Sequence, residues 1–128
     1  MAEFSLAGLH ILVVEDEYLI ADEIRDMLDA AGAKVLGPVP TVEAALARIV
    51  EAPRIDAAIL DINLRGTMVF DVADALNARA VPFLFATGYD RSAIPDRFNE
   101  IPRAEKPLKA RHVEGALATI MKDRGFAN

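Results

Sequence analysis

Five polar residues stand where runs of strand-forming residues end. Glu15 and Asp16 follow LHILVV (9–14), and Asp61 follows IDAAIL (55–60). Thr87 closes VPFLFAT (81–87), and Lys106 sits at the end of IPRAEKP (101–107). A charged carboxylate beside an apolar core is costly unless something pairs with it. Each residue alone has an ordinary reading. Glu15 and Asp16 suit a helix start, where acids meet the positive end of the dipole. Asp61 suits a turn, Thr87 before Gly88 suits a turn pair, and Lys106 suits a solvated surface. Taken together they offer another chemistry. Carboxylate oxygens suit a hard divalent cation such as Mg²⁺ or Mn²⁺. Clustered carboxylates repel one another and need a counter-charge, which a cation and Lys106 would supply. A carboxylate is also a nucleophile toward phosphorus, giving an aspartyl phosphate. In phosphoryl transfer the protein mainly positions groups and neutralises charge. The Thr87 hydroxyl suits a hydrogen bond to a phosphoryl oxygen.

The elements that must position these groups follow from the apolar period. LHILVV is a short, nearly continuous apolar run, as a strand covered on both faces requires. Leu19, Ile20, Ile24, Met27, Leu28 and Ala31 then recur at helical spacing, and Gly32 falls where a C-cap belongs. AKVLG (33–37) reads as a second strand. Thr41 is placed to cap a helix carrying Val42, Ala45, Leu46 and Ile49. IDAAIL is the third strand, residues 68–79 a helix, and VPFLFAT the fourth strand. Pro95 permits only a short or irregular helix over 92–99. Residues 101–107 are a weak fifth strand, and 109–123 a last helix with Val113, Ala116, Leu117 and Ile120 inward. Alternating strands and helices predict a doubly wound α/β domain: a five-stranded parallel sheet with helices on both faces, in the flavodoxin-like order 2-1-3-4-5. In that architecture ligands sit at the carboxyl ends of the strands, where all five polar residues fall.

The chain has 128 residues, 53% of them hydrophobic, which suits one domain with a real core. Its formal net charge of −6 argues against direct binding of nucleic acid, which needs a basic surface. The absence of cysteine removes disulfides, thiol catalysis and Cys-based zinc sites. The N-terminal apolar run stops at Glu15 and does not read as a signal peptide, and no apolar stretch reaches a membrane span. The expectation is a cytoplasmic protein without membrane insertion. No Gly-rich phosphate loop supports a nucleotide site.

VVEDE, ILDINL, FATG and EKP occur in order at the predicted ends of strands one, three, four and five. This pattern resembles the CheY-like receiver domain of two-component response regulators, over about residues 8–122 of a single domain spanning 1–128. FATGYD further resembles the subgroup of receivers named for a Phe-Ala-Thr-Gly motif, the FATGUY type. The resemblance implies a phosphoacceptor and not a substrate-turning enzyme. A sensor histidine kinase or phosphotransfer protein would be the donor, and a downstream protein the target. It implies that Asp61 is the phosphoacceptor. Asp16 is a direct Mg²⁺ ligand, Glu15 acts through water, and the Asn63 backbone carbonyl is the remaining ligand. Thr87 is the switch hydroxyl and Lys106 its phosphoryl-pairing lysine, with a cis bond to Pro107.

Departures from the family pattern carry expectations of their own. Arg65 stands where Pro is often found, so that loop is expected to be more mobile. Arg103 replaces the aromatic that swings inward in many receivers, which removes that rotamer switch. Output is then expected to depend on ordering of residues 88–99, with Tyr89 gating access to the phosphoryl group. Asn63 stands where aspartyl-phosphate hydrolases carry a second Asp, which removes their general acid. The alternatives are a phosphorylation-independent binding module and a phosphoryl sink or shuttle in a phosphorelay. No output domain fits after residue 123, so a stand-alone receiver or one excised from a longer protein is expected, and the starting Met favours the former.

Overall fold

The computed structural model describes residues 5–88 and 94–123. In chain order, the elements are β1 (His10–Val14), α1 (Tyr18–Ala30), β2 (Lys34–Val39), α2 (Val42–Glu51) and β3 (Ala57–Asp61). Next come a two-stranded ribbon of β4 (Asn63–Leu64) and β5 (Thr67–Met68), then α3 (Phe70–Ala78) and β6 (Phe83–Thr87). A 3₁₀ turn at Asp96–Phe98, β7 (Arg103–Glu105) and α4 (Ala110–Asp123) complete the order. The main sheet has five strands in the order β2-β1-β3-β6-β7, all paired in parallel. Counting only the strands of that sheet, this is the expected flavodoxin-like order.

The three inner strands are buried on both faces, and their side chains divide between two cores by simple alternation. Leu12, Val14, Leu60, Phe83 and Phe85 join Val42, Ala45 and Ile49 of α2 and Val72 and Leu76 of α3. Ile11, Val13, Ile59 and Leu84 join Ile24 and Leu28 of α1 and Val113 and Leu117 of α4. Two helices on each face therefore cover the sheet and leave its edges for chemistry. The Thr41 hydroxyl caps α2 by accepting from the Ala44 N–H at 3.0 Å, as its position foretells.

Several boundaries differ from the sequence reading for physical reasons. Leu19 is 75% exposed and does not belong to the buried face of α1. At 100° per residue it lies about 140° around the helix from Ile24. β2 runs on to Val39 because Gly37, at φ +98°, absorbs a register shift against β1. A Cβ there would lie 2.7 Å from Val39 N and 2.9 Å from Val13 O. The Gly37–Pro38 bond is cis, as is Lys106–Pro107. The helix expected at 68–79 starts only at Phe70, since residues 63–68 pair with each other first. Within 92–99, the described part is a single 3₁₀ turn. That turn drives Phe98 into the core, where its ring stacks on Phe70 at 5.6 Å and meets Phe85 edge-on at 5.7 Å. Arg97 fastens the same turn to α3 through two bonds to Asp74, at 3.1 and 3.0 Å.

Candidate functional site

Parallel register brings the polar residues together. Val14 pairs with Leu60, so the chain leaving β1 sets Glu15 beside Asp61 at the end of β3. Asp61 pairs with Ala86, and Thr87 pairs with Glu105, so Thr87 and Lys106 close the same edge. The Lys106 N–H donates to the Thr87 carbonyl at 2.9 Å, which fixes where the lysine side chain begins. Its ammonium lies 3.0 Å from Glu15 Oε1 and 3.3 Å from Asp61 Oδ1. Glu15, Asp61 and Thr87 are all buried. α1 begins only at Tyr18, so the two acids after β1 belong to the loop and not to the helix's first turn. Glu15 Oε2 accepts the Glu17 N–H at 3.1 Å and shapes that loop.

The electrostatics are those of crowded acids with one cation. Burial and the neighbouring Glu15 carboxylate push the Asp61 carboxyl up from 3.8 to about 7, against the opposing pull of Lys106. Burial pulls the Lys106 ammonium down. The Glu15 and Asp61 carboxylates outweigh that pull together, and its proton is held above the usual lysine range.

Glu15, Asp16 and Asp61 each offer an oxygen, all within 4.8 Å of one another. Thr87 Oγ1 is buried and finds no hydrogen-bond partner among the described residues. A compact set of oxygen donors with too little positive charge fits a hard divalent cation. Asn63 lies on the ribbon that follows. Its side-chain Oδ1 accepts from the Gly66 N–H at 2.7 Å. Ile62 accepts the Val69 N–H at 2.9 Å, which places Asn63 at the non-bonded pair of the ladder, its carbonyl outside it.

The loop in which Arg65 stands in place of Pro is a tight hairpin. Arg65 and Gly66 both have positive φ, +53° and +92°, as a two-residue primed turn requires. Proline could not take position 65 in this turn, because its ring fixes φ near −65°. Arg65 Nε reaches Asp16 Oδ2 at 3.4 Å, a contact that no sequence signal announces. Arg103 lies half-buried on β7, its Nε buried and without a hydrogen-bond partner among the described residues, and so is not a fully exposed surface group. Tyr89 lies outside the described residues. His10 sits at the opposite end of β1, its backbone N–H bonded to Asp56 at 2.7 Å, and His112 is exposed on α4.

No protein-family model matches the chain. It is 35% identical over 117 residues to the sensory transduction protein LytT of Bacillus cereus, covering 89% of this chain and 46% of that protein. The chain thus spans about half the length of the curated relatives it matches first. The signal receiver domain of a modulated diguanylate cyclase from Desulfovibrio desulfuricans G20 superimposes with a TM-score of 0.82 at 27% identity, over 92% of this chain and 97% of that one. SdrG from Sphingomonas melonis Fr1 superimposes with a TM-score of 0.80 at 44% identity, over 92% of this chain and 99% of SdrG. The chain belongs to the response regulator receiver (CheY-like) family. The receiver is also similar to SdrG in its BeF₃-activated conformation, at 45% identity and a TM-score of 0.75, over 90% and 98% of the two chains. It is a response regulator receiver domain of the kind used in two-component systems. Among its described residues, no helix is long and apolar enough to cross a membrane.

Proposed function

We propose that this receiver accepts a phosphoryl group on Asp61 from the phosphohistidine of a sensor histidine kinase or phosphotransfer protein, and so switches its contacts with a downstream protein. The observation that carries this is Asp61 itself, buried at the end of β3 with the Lys106 ammonium at 3.3 Å. The BeF₃-activated form of SdrG, in which beryllofluoride stands in for a phosphoryl group, supports the reading. In the transfer an Asp61 carboxylate oxygen attacks phosphorus. A P–O bond forms, the P–N bond to the donor imidazole breaks, and its electron pair returns to that nitrogen. Lys106 then faces the charge that collects on the phosphoryl oxygens. The Thr87 hydroxyl, without a partner among the described residues, donates to one of them.

Asp16 and Asp61 would hold Mg²⁺ directly together with the Asn63 carbonyl, and Glu15 through water. When bound, the ion supplies positive charge for the phosphoryl oxygens and for the crowded carboxylates. Because Asp61 holds its proton up to about 7 without a metal, the attacking carboxylate is only partly ionised at neutral pH. Uptake is therefore expected to depend on the ion. Intact mass after incubation with a small phosphodonor checks this: one phosphoryl group is gained with Mg²⁺ and none with a chelator. No gain with Mg²⁺, repeated with a competent histidine kinase, would turn the reading toward a binding-only receiver.

The finer identity belongs to the same proposal. Phe85-Ala86-Thr87-Gly88 supports membership of the FATGUY subgroup. Residues 1–128 act as one receiver domain in the cytoplasm, without turnover of an external substrate. Tyr89, two positions past Thr87, gates the phosphoryl group, so Tyr89→Ala should change the rate of phosphoryl loss severalfold. An unchanged rate in a phosphate-release assay would remove the gate.

A further inference from the structure

We propose that Arg65 is a tethered cation that occupies Asp16 in the metal-free receiver and must leave before a divalent ion loads. It thereby sets the ion concentration at which the site fills. This rests on the function proposed above and deepens it. Two observations carry it independently. The first is the contact, with Arg65 Nε 3.4 Å from Asp16 Oδ2. The partners differ sharply in setting, because the Asp16 side chain is 8% exposed and that of Arg65 83%. A guanidinium therefore reaches in from solvent to a largely buried carboxylate.

The second observation is the backbone beneath it. Arg65 sits at φ +53° in the first position of a two-residue turn, with Gly66 at +92°. Asn or Gly takes that position with less steric cost than a long side chain does. A residue held in a disfavoured conformation beside a functional centre points to a use for its side chain. The turn is otherwise well anchored. Asn63 Oδ1 accepts from the Gly66 N–H at 2.7 Å, and Leu64 is buried in the core under α2 and α3. The base of the arginine is thus fixed while its side chain stays in water.

Competition follows from charge. A guanidinium and a dipositive ion on the same Asp16 oxygen repel at that range, so the ion binds there in competition with Arg65. The released guanidinium returns to water it already largely touches, so displacement is easy and the effect modest. Lys106 is placed differently: its side chain is 17% exposed and divided between Glu15 and Asp61, so it stays in the site. The carboxylate that Arg65 contacts, on the loop after β1, is one the ion would use.

The test uses the whole chain and Mg²⁺ alone, by isothermal titration at low ionic strength. Arg65→Asn suits the turn and should fold at least as stably as the wild type. It should bind Mg²⁺ about three- to fivefold more tightly, the scale of an exposed ion pair. The difference should shrink as added salt screens the pair. In parallel, the Arg65 Nε–H signal of the wild type, followed by ¹⁵N NMR, should shift with the same midpoint as ion binding. That readout separates a contact from a diffuse field effect. Equal affinities, or a signal that stays still while Mg²⁺ binds, would overturn the inference and leave the metal site standing. No binding by the wild type would overturn the metal-dependent function as well.

Discussion

Asp61→Asn is expected to gain no phosphoryl group under conditions where the wild type gains one. The amide has the shape of the carboxylate, so the strand end and its neighbours keep their places. Its lone pairs are delocalised, and it makes a poor nucleophile toward phosphorus. Loss of the nucleophile in a preorganised site costs on the order of 10⁴-fold or more in rate, which on a mass spectrum reads as complete loss. Lys106 also pairs with Glu15, 3.0 Å away in the wild type, so the cation is not expected to be lost with the acid. Intact-mass measurement on both proteins decides the matter. Gain by both would mean that another carboxylate of the cluster, Glu15 or Asp16, is the acceptor.

The same substitution should stabilise the metal-free protein at neutral and alkaline pH. Asp61 holds its proton up to about 7 in the folded chain, against 3.8 for an ordinary aspartate. The folded state therefore binds a proton that the unfolded state releases earlier. The group's favourable contribution is fully present below about 4, where both states are protonated. It is lost as pH rises toward about 7, and is gone above that. Burial causes most of the shift, and the Glu15 carboxylate adds to it. Allowing for partial solvent screening, the loss is on the order of 2–3 kcal/mol, or ~10 °C in Tm. Wild type and Asp61→Asn should thus melt together near pH 4 and part progressively up to pH 8, with the variant higher. Saturating Mg²⁺ should close most of that gap by stabilising the wild type. Thermal melts across pH, with and without the ion, check this. Parallel curves at all pH values would mean that Asp61 carries no such burden.

The parts of this molecule that were legible in its sequence are those written in apolar period or in a sharp change of residue type. β1, β3 and β6 are short apolar runs, and the polar residues that close them fall at one edge of the sheet because the strands are parallel. The α2 cap was legible because Thr41 directly precedes the periodic run. The ribbon at 63–68 was not, since two residues per strand are too few to show a period. Phe98 was not, because a three-residue turn has no amphipathic face, and only the finished fold shows the pocket between Phe70 and Phe85. Leu19 misled because apolar character alone does not report angle around a helix. Arg65 was visible as a departure, but its partner was not: that contact needs the turn's left-handed backbone, which its sequence of Arg then Gly only half suggests.

Asp61 is the last residue of a strand paired on both sides, with β1 at Leu60 and β6 at Asp61 itself. In mechanical terms it is bolted to a stiff plate. A load applied to its carboxylate cannot be relieved by sliding the plate, because that would shear ladders on both flanks at once. The give has to come from parts that are not bolted, the side chains that lean over the edge. The receiver is therefore an anvil, and whatever moves on signalling is struck against it.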